Sequence, residues 1–339
     1  METIKNIKVY ILFIIIIIEK KIKNYNNFPN ISIIIPVFNN AKYLPFCLNS
    51  IIYQSLKNIE ILCINDGSTD ESLKILKEFQ KIDNRIIIIN QHNKGAALCR
   101  NKGIKKSKGK YIAFIDSDDM YPDNYTLELL YNKSIENNAL ICGGCLNRLK
   151  LINGSYNISE GGENFQFYKE EIISYFNFQF DFGFLRFIFD TKFLKENQIY
   201  FPNYLRYQDP PFLIKAMATA TKFYQLNYTT YLYRKFHKKI LWNSRKIIDQ
   251  YKGFNECLKL SEKLKLDKLY CTIVKRLNLE LFLEPTKQYI INNKDIKIYI
   301  IKILNKINFQ KLKKENCIFK LNNIYKPFLK KDLYFEWFE

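Results

Sequence analysis

The chain has 339 residues, 47% apolar and 16% aromatic, which suits a large buried core and excludes a disordered or collagen-like chain. Eight scattered cysteines, with one C-G-G-C pair at Cys142 and Cys145, and only two histidines argue against a His-based metal cage, a zinc module or a secreted disulfide framework; the cysteines are expected as reduced core residues. The net charge of +20 comes mostly from lysine, and residues 237–339 hold 23 Lys/Arg against 11 Asp/Glu, so an anionic membrane surface is a candidate partner; without an Arg-rich recognition module, nucleic acid is not an expected one.

Val9 to Ile18 is an apolar run flanked by lysines, about half the length a spanning helix needs. Three readings stay open for it: a hydrophobic extension or weak anchor, a packed element, or a targeting signal that lacks a small-residue cleavage site. Ile31–Val37 is a continuous apolar run and predicts a strand buried on both faces. Residues 42–54 carry apolar positions at helical spacing, and Ile59–Ile64 predicts a second buried strand. Asn65-Asp66-Gly67-Ser68 is a turn, with Ser68 or Thr69 expected to cap a helix through Phe79. A strand at Ile86–Ile89, a helix over 95–107, a strand at Tyr111–Ile115 and a helix over 123–137 follow. Four strand–helix alternations predict an α/β fold, a mostly parallel sheet with helices on both faces.

Beyond residue 140 the pattern is weaker. It suggests strands at Ala139–Gly143 and Tyr228–Tyr233, a loop at Gly161-Gly162, and helices at Lys192–Gln198 and Pro210–Ala220. From about 245 it is helical and lysine-rich. The expected organisation is an extension at 1–30, a catalytic domain at 31–240 and a helical region at 241–339.

In an open parallel sheet, ligands sit at the carboxyl ends of the strands. There the sequence puts Pro36-Val37-Phe38-Asn39 after strand one, Asp66 after strand two, and Asp116-Ser117-Asp118-Asp119 after strand four. Clustered carboxylates repel unless a cation neutralises them, and hard oxygen ligands suit Mg²⁺ or Mn²⁺. Neither G-x-x-x-x-G-K-[ST] nor G-x-G-x-x-G is present, so a metal-held diphosphate is expected instead of a phosphate loop.

The ordered segments I-S-I-I-I-P-V-F-N-N, I-N-D-G-S-T-D-E-S, N-K-G-A-A-L-C-R-N-K-G-I and G-K-Y-I-A-F-I-D-S-D-D resemble glycosyltransferase family 2 over about residues 31–125, and more loosely to 235. The resemblance implies the GT-A fold and an inverting, metal-dependent transfer of a sugar from a nucleotide-sugar donor, usually a UDP-sugar. It places Pro36 and Phe38 against the donor nucleotide, Asp66 on its base and Arg100 beside the donor. Asp116 and Asp118 match the D-x-D pair, with Asp118 as direct metal ligand. Tyr207-Gln208-Asp209-Pro210 matches the motif that holds the catalytic base, here Asp209, with Gln208 where Glu is commoner. Tyr233-Arg234 followed by His237 matches a segment after the last strand, where His237 approaches the diphosphate.

The mechanism agrees with elementary chemistry. A sugar hydroxyl needs a positioned carboxylate to take its proton, and a departing nucleoside diphosphate needs positive charge. One base opposite one leaving group implies inversion. The acceptor implied is a glycan or a lipid-linked sugar, in surface polysaccharide synthesis. The expected location is the cytoplasm, with a peripheral seat on the inner face of the plasma membrane through amphipathic helices around Ile298, Ile301 and Ile307. Structural explanations compete: Asp209 also fits a helix start before Pro210, and Arg100 a surface salt bridge. His237, Trp242 and the aromatics of 175–193 fit core packing. Two other classes compete as well. One is a non-catalytic basic protein binding membranes or polyanions on a degenerate scaffold; the other is a nucleotidyltransferase, for which P-V-F-N-N lacks the phosphate loop.

Overall fold

The computed structural model describes residues 28–152, 155–235, 241–282 and 286–314. The apolar run at Val9–Ile18 and His237 lie outside the described residues. The first half folds as the pattern predicts. Strands β1 (Ile31–Val37), β2 (Ile59–Asn65), β3 (Ile86–Asn90) and β4 (Tyr111–Phe114) alternate with helices α1 (Leu44–Ile52), α2 (Ser72–Ile82), α3 (Ala96–Lys106) and α4 (Thr126–Glu136). The strands are parallel, in the order β3-β2-β1-β4. Burial on both faces explains why β1 and β2 read as unbroken apolar runs instead of alternating ones. α3 lies flush on β1 because Gly103 has no side chain: a Cβ there would meet Ile34 at 2.5 Å.

The second half widens the sheet against chain order. β8 (Phe187–Asp190) runs antiparallel to β4 and also pairs with β5 (Ile141–Ile152), which is parallel to β9 (Lys222–Arg234). β7 (Glu171–Ser174) closes that edge, and β6 (Ser155–Glu160) forms a hairpin with β5. Between them stand α5 (Tyr175–Phe178), α6 (Thr191–Glu196) and α7 (Asp209–Ala220). β5 and β9 are longer than the sequence suggests.

The helices α8 (Ser244–Lys263), α9 (Asp267–Phe282), α10 (Thr286–Asn292), α11 (Lys294–Leu304) and α12 (Phe309–Lys314) follow. α8 packs on α7, and α9 and α11 pack on α8. One apolar core runs without a break from Ile31 to Leu312. Ile296, Ile300, Ile303 and Ile307 are buried in it while Ile298 is exposed, so α11 spends its apolar stripe on the protein interior. Of the three positions expected on an amphipathic face, Ile307 is buried, Ile301 half-buried and Ile298 exposed. No helix among the described residues is long and apolar enough to cross a membrane. Among the described residues, six cysteines are free and buried. Cys271 departs from the expectation of reduced thiols and is disulfide-bonded.

The cap of α2 also differs. Ser68 Oγ accepts from Asn39 N at 3.2 Å, and Thr69 N donates to Asn39 Oδ1 at 2.8 Å. Both residues therefore tie the loop after β2 to the loop after β1. Asp70 takes the N–H of Ser72 at 3.0 Å and that of Ala41 at 2.9 Å. Its backbone and side-chain hydrogen bonds hold the carboxyl below the ordinary Asp range, against the cost of partial desolvation.

Candidate active site

The loops after β1, β2 and β4 meet at the carboxyl edge of the sheet. Asn40 Nδ2 donates to Ser117 Oγ at 2.8 Å and locks the β1 loop to the D-S-D-D segment. Asp119 is buried; its two oxygens accept from Tyr231 O–H and Arg234 N, each at 2.7 Å. Burial and the neighbouring Asp118 and Asp116 charges push its carboxyl well above the usual range. The Tyr231 hydroxyl also accepts from Asp116 N at 3.1 Å, and Arg234 Nε donates to the Asp118 carbonyl at 2.7 Å. The last strand thus grips the acidic turn from behind.

The oxygens of Asp116, Asp118 and Asp119 all lie within 4.8 Å of one another. Hard, clustered carboxylate oxygens fit a divalent ion of the Mg²⁺ or Mn²⁺ kind. Asp119 is occupied in bracing the turn, so Asp116 and Asp118, both only partly buried, are the pair that fits an ion.

Asp209 opens α7, and the site depends on how that helix is seated. Phe212, one turn along, stacks flat on Phe201 at 3.9 Å and 9°. Phe114 of β4 meets Phe184, Phe189, Phe201 and Phe212 edge to face at 5.4–5.9 Å. Each such pair contributes about 0.5–1.5 kcal/mol beyond area burial. Upstream, Tyr207 sits at φ +61°, a strained value for a non-glycine residue. It is held there by α8: its ring lies 4.1 Å from Phe254, and Gly253 approaches so closely that a Cβ would meet Tyr207 O at 2.6 Å. Leu205 N donates to Asp249 at 3.1 Å, and Tyr204 O–H to Glu256 at 2.9 Å.

Arg100 joins the two acidic sites. Its guanidinium donates to Asp116 Oδ1 at 2.7 Å and to Asp209 Oδ1 at 3.1 Å, and packs over Phe184 and Phe201 at 4.9 and 5.3 Å. It is only 3% exposed. A surface salt bridge is therefore not what forms: buried Arg100 links Asp116 to Asp209. The helix-cap explanation of Asp209 fares worse, because its carboxylate bonds Arg100. Desolvation is the main influence on Asp209 and raises its pKa; Asp116 adds to that, while Arg100 and Arg206 oppose it, and the balance stays above the ordinary Asp value. A carboxylate held this way has a higher proton affinity than an ordinary Asp.

Asp66 is also buried. Its oxygens accept from Gln91 Nε2, Lys94 N and Gly95 N at 2.8–2.9 Å. It thus shapes the loop before α3, a task the turn motif did not reveal. Pro36 is half-buried near the end of β1, and Phe38 follows that strand and is well exposed. A cavity of about 420 Å³ opens in front of Asp209 and Gln208, with Phe182, Tyr233, Arg206 and Lys235 among its walls; neither Pro36 nor Phe38 lines it. Arg206 stacks over Trp242 at 5.2 Å, which fits the packing explanation of Trp242. Arg148, Arg206 and Lys235 escaped the sequence reading; isolated cations in a lysine-rich chain carry no local signal.

A mostly parallel sheet in this strand order, with an acidic turn at its carboxyl edge, is the GT-A architecture of glycosyltransferases. Residues 32–196 match Glycosyl transferase family 2, and the chain belongs to that family: it is a glycosyltransferase. It is 34% identical over 222 residues to the glycosyltransferase GlyG of Streptococcus pneumoniae serotype 4, covering 60% of this chain and 70% of GlyG. It is 34% identical over 201 residues to a poly(ribitol-phosphate) beta-glucosyltransferase of Bacillus spizizenii, covering 57% of this chain and 30% of that one. In fold it resembles S. aureus TarS 1–349 in complex with UDP-GlcNAc, with a TM-score of 0.65 and 21% identity over 83% of this chain and 82% of that one. Family membership removes the alternatives of a non-catalytic scaffold and a nucleotidyltransferase.

Proposed function

We propose that the protein transfers a sugar, with inversion, from a nucleotide-sugar donor of the UDP type to a hydroxyl of a glycan or lipid-linked acceptor in surface polysaccharide synthesis. The observation that carries this reading is the Arg100 bridge, which ties a D-x-D carboxylate and a carboxylate at a helix start to one guanidinium. Asp209 is the base: it takes the acceptor proton as the hydroxyl oxygen attacks the anomeric carbon, and its raised proton affinity favours that transfer. The attack comes from the side opposite the departing diphosphate, so the anomeric configuration inverts. Asp116 and Asp118 are the residues that would hold a divalent ion. Such an ion, when bound, neutralises charge on the diphosphate. Arg100 keeps the base and the D-x-D turn in fixed relation, and Pro36, Phe38 and the loop braced by Asp66 form the nucleotide side of the cleft. The bound UDP-sugar of the TarS structure supports the donor class, and the poly(ribitol-phosphate) relative supports a cell-surface polymer as acceptor.

Thermal stabilisation against a nucleotide and nucleotide-sugar panel, with and without Mn²⁺, tests the reading. A ligand at a hundredfold excess over Kd stabilises by about 2.7 kcal/mol. Mn²⁺-dependent stabilisation by UDP or a UDP-sugar is the expected result. Stabilisation by no nucleotide at any metal concentration overturns it.

A further inference from the structure

The cavity in front of Asp209 is basic in a way the transfer chemistry alone does not require. Arg148 on β5, Lys235 just past β9 and Arg206 before α7 come from three distant stretches of chain and line one wall system. Among the described residues, no acid forms an ion pair with any of the three, and the buried Nε of Arg206 has no hydrogen-bond partner. Their charges press on each other: burial chiefly, then Arg148 and Lys150, holds the Lys235 ammonium below the ordinary lysine pKa. Asp209 is the carboxylate lining this cavity among the described residues, and its charge acts on Arg206; an anionic ligand would offset the remaining positive charge.

The basic surface continues. A second cavity, of about 430 Å³, shares Arg148, Gly161, Phe165 and Phe182 with the first and runs on to Lys275 of α9. Among the described residues, Glu163 is the carboxylate lining it, and Arg276 is paired with Asp181 at 2.8 Å. The floor is aromatic, with Phe165 and Phe180 edge to face at 5.2 Å, which suits the flat faces of sugar or polyol units.

We propose that the acceptor is an anionic glycan or polyol chain, bearing phosphate or carboxylate groups, laid along this groove from Lys275 to Arg148 and Lys235 so that its hydroxyl end reaches Asp209. The inference rests on the glycosyltransferase reading and deepens it by naming the acceptor class. Two sources of anionic charge compete for the cations, the acceptor chain and the donor's own diphosphate, and the test separates them.

The full chain is titrated with a fluorescent glycerol-phosphate oligomer, a neutral dextran oligomer of equal length, polyglutamate and UDP, at low and high salt. The wild type should bind the glycerol-phosphate oligomer at least tenfold more tightly than dextran or polyglutamate, with affinity falling as salt rises. Arg148→Gln with Lys235→Gln should cut that affinity at least tenfold and leave UDP affinity unchanged. Arg148→Lys with Lys235→Arg, which keeps both charges, should retain most of it. Lys275→Gln, at an exposed position that does not threaten folding, should weaken binding severalfold. Equal binding of dextran, equal binding of polyglutamate, or oligomer affinity unmoved by the Gln variants overturns the proposal. Parallel loss of UDP affinity assigns the cations to the donor and overturns it as well. Wild type that ignores UDP while binding the oligomer instead defeats the parent reading, so the two failures are distinct.

Discussion

Replacing Asp209 with Asn separates chemistry from architecture at one atom. The amide keeps the shape of the carboxyl and an oxygen for Arg100 Nη1, now 3.1 Å away, but it cannot take a proton. Loss of a general base costs about 10²–10⁴-fold, and each tenfold is about 1.4 kcal/mol of barrier, so the barrier should rise by about 3–5.5 kcal/mol. Stability should hardly move. The Asp209 side chain is 34% exposed, so its pair with Arg100 is screened and contributes about 1 kcal/mol or less, and Arg100 keeps Asp116 at 2.7 Å. The raised pKa points the same way: a group whose folded pKa exceeds its unfolded value costs stability when ionised, and Asn removes that cost. The assay is UDP release from a UDP-sugar with water as the slow acceptor, beside melting temperature and UDP affinity. The expected result is a hundredfold loss or more, a melting shift under about 3 °C, and unchanged UDP affinity. Turnover within a few-fold of wild type refutes the assignment of Asp209 as base.

Asp118→Ala should abolish Mn²⁺-dependent UDP affinity with the fold retained; thermal shift with and without Mn²⁺ reads both. Arg100→Gln removes an influence that lowers the Asp209 pKa, so the acid limb of the kcat/KM profile should move to higher pH; it should also destabilise by about 1–3 kcal/mol, because it weakens hydrogen bonds to two partly exposed carboxylates, measured by urea unfolding. Asp83 is held below its ordinary pKa mainly by its hydrogen bond to Arg85. Its contribution is therefore fully present above the ordinary Asp value and lost as pH falls through the lower folded value; Asp83→Asn should flatten that acid-side decline in melting temperature. Gly67→Ala forces a Cβ at φ +73° and 3.0 Å from Asn93 N, and should cost about 1–2 kcal/mol by chemical denaturation.

The parallel half of the sheet was legible because its signals are local. β1 and β2 are buried on both faces, and each helix between strands repeats its apolar positions within a dozen residues. The antiparallel half was not. β6 is exposed along its whole length and shows no apolar pattern, and β8 is set between β4 and β5 by contacts from elsewhere in the chain. The carboxylates were visible as strand-end motifs, but their coupling was not. Arg100 reaches Asp209 across 109 residues, and Arg148 meets the Lys235 end of β9 only through the β5–β9 register. Ser68 and Thr69 read as caps because their neighbours in sequence are visible and Asn39 is not.

The closeness of Gly253 to Tyr207 bears on how this enzyme can be taken apart and recombined. Residue 240 marks a change of sequence character, but the loop that presents Asp209 is moulded on one side by α8. A fragment ending at 240 would release Tyr207 from its strained conformation and unmoor the carboxylate two residues later. Chimaeras that graft the front half of one family member onto the helical tail of another inherit the same dependency. In this chain position 253 must stay glycine, and an aromatic at 254 keeps the ring contact, for Tyr207 to hold its left-handed backbone two residues before Asp209. Specificity can therefore be exchanged between such enzymes only when loop and helix travel as a matched pair.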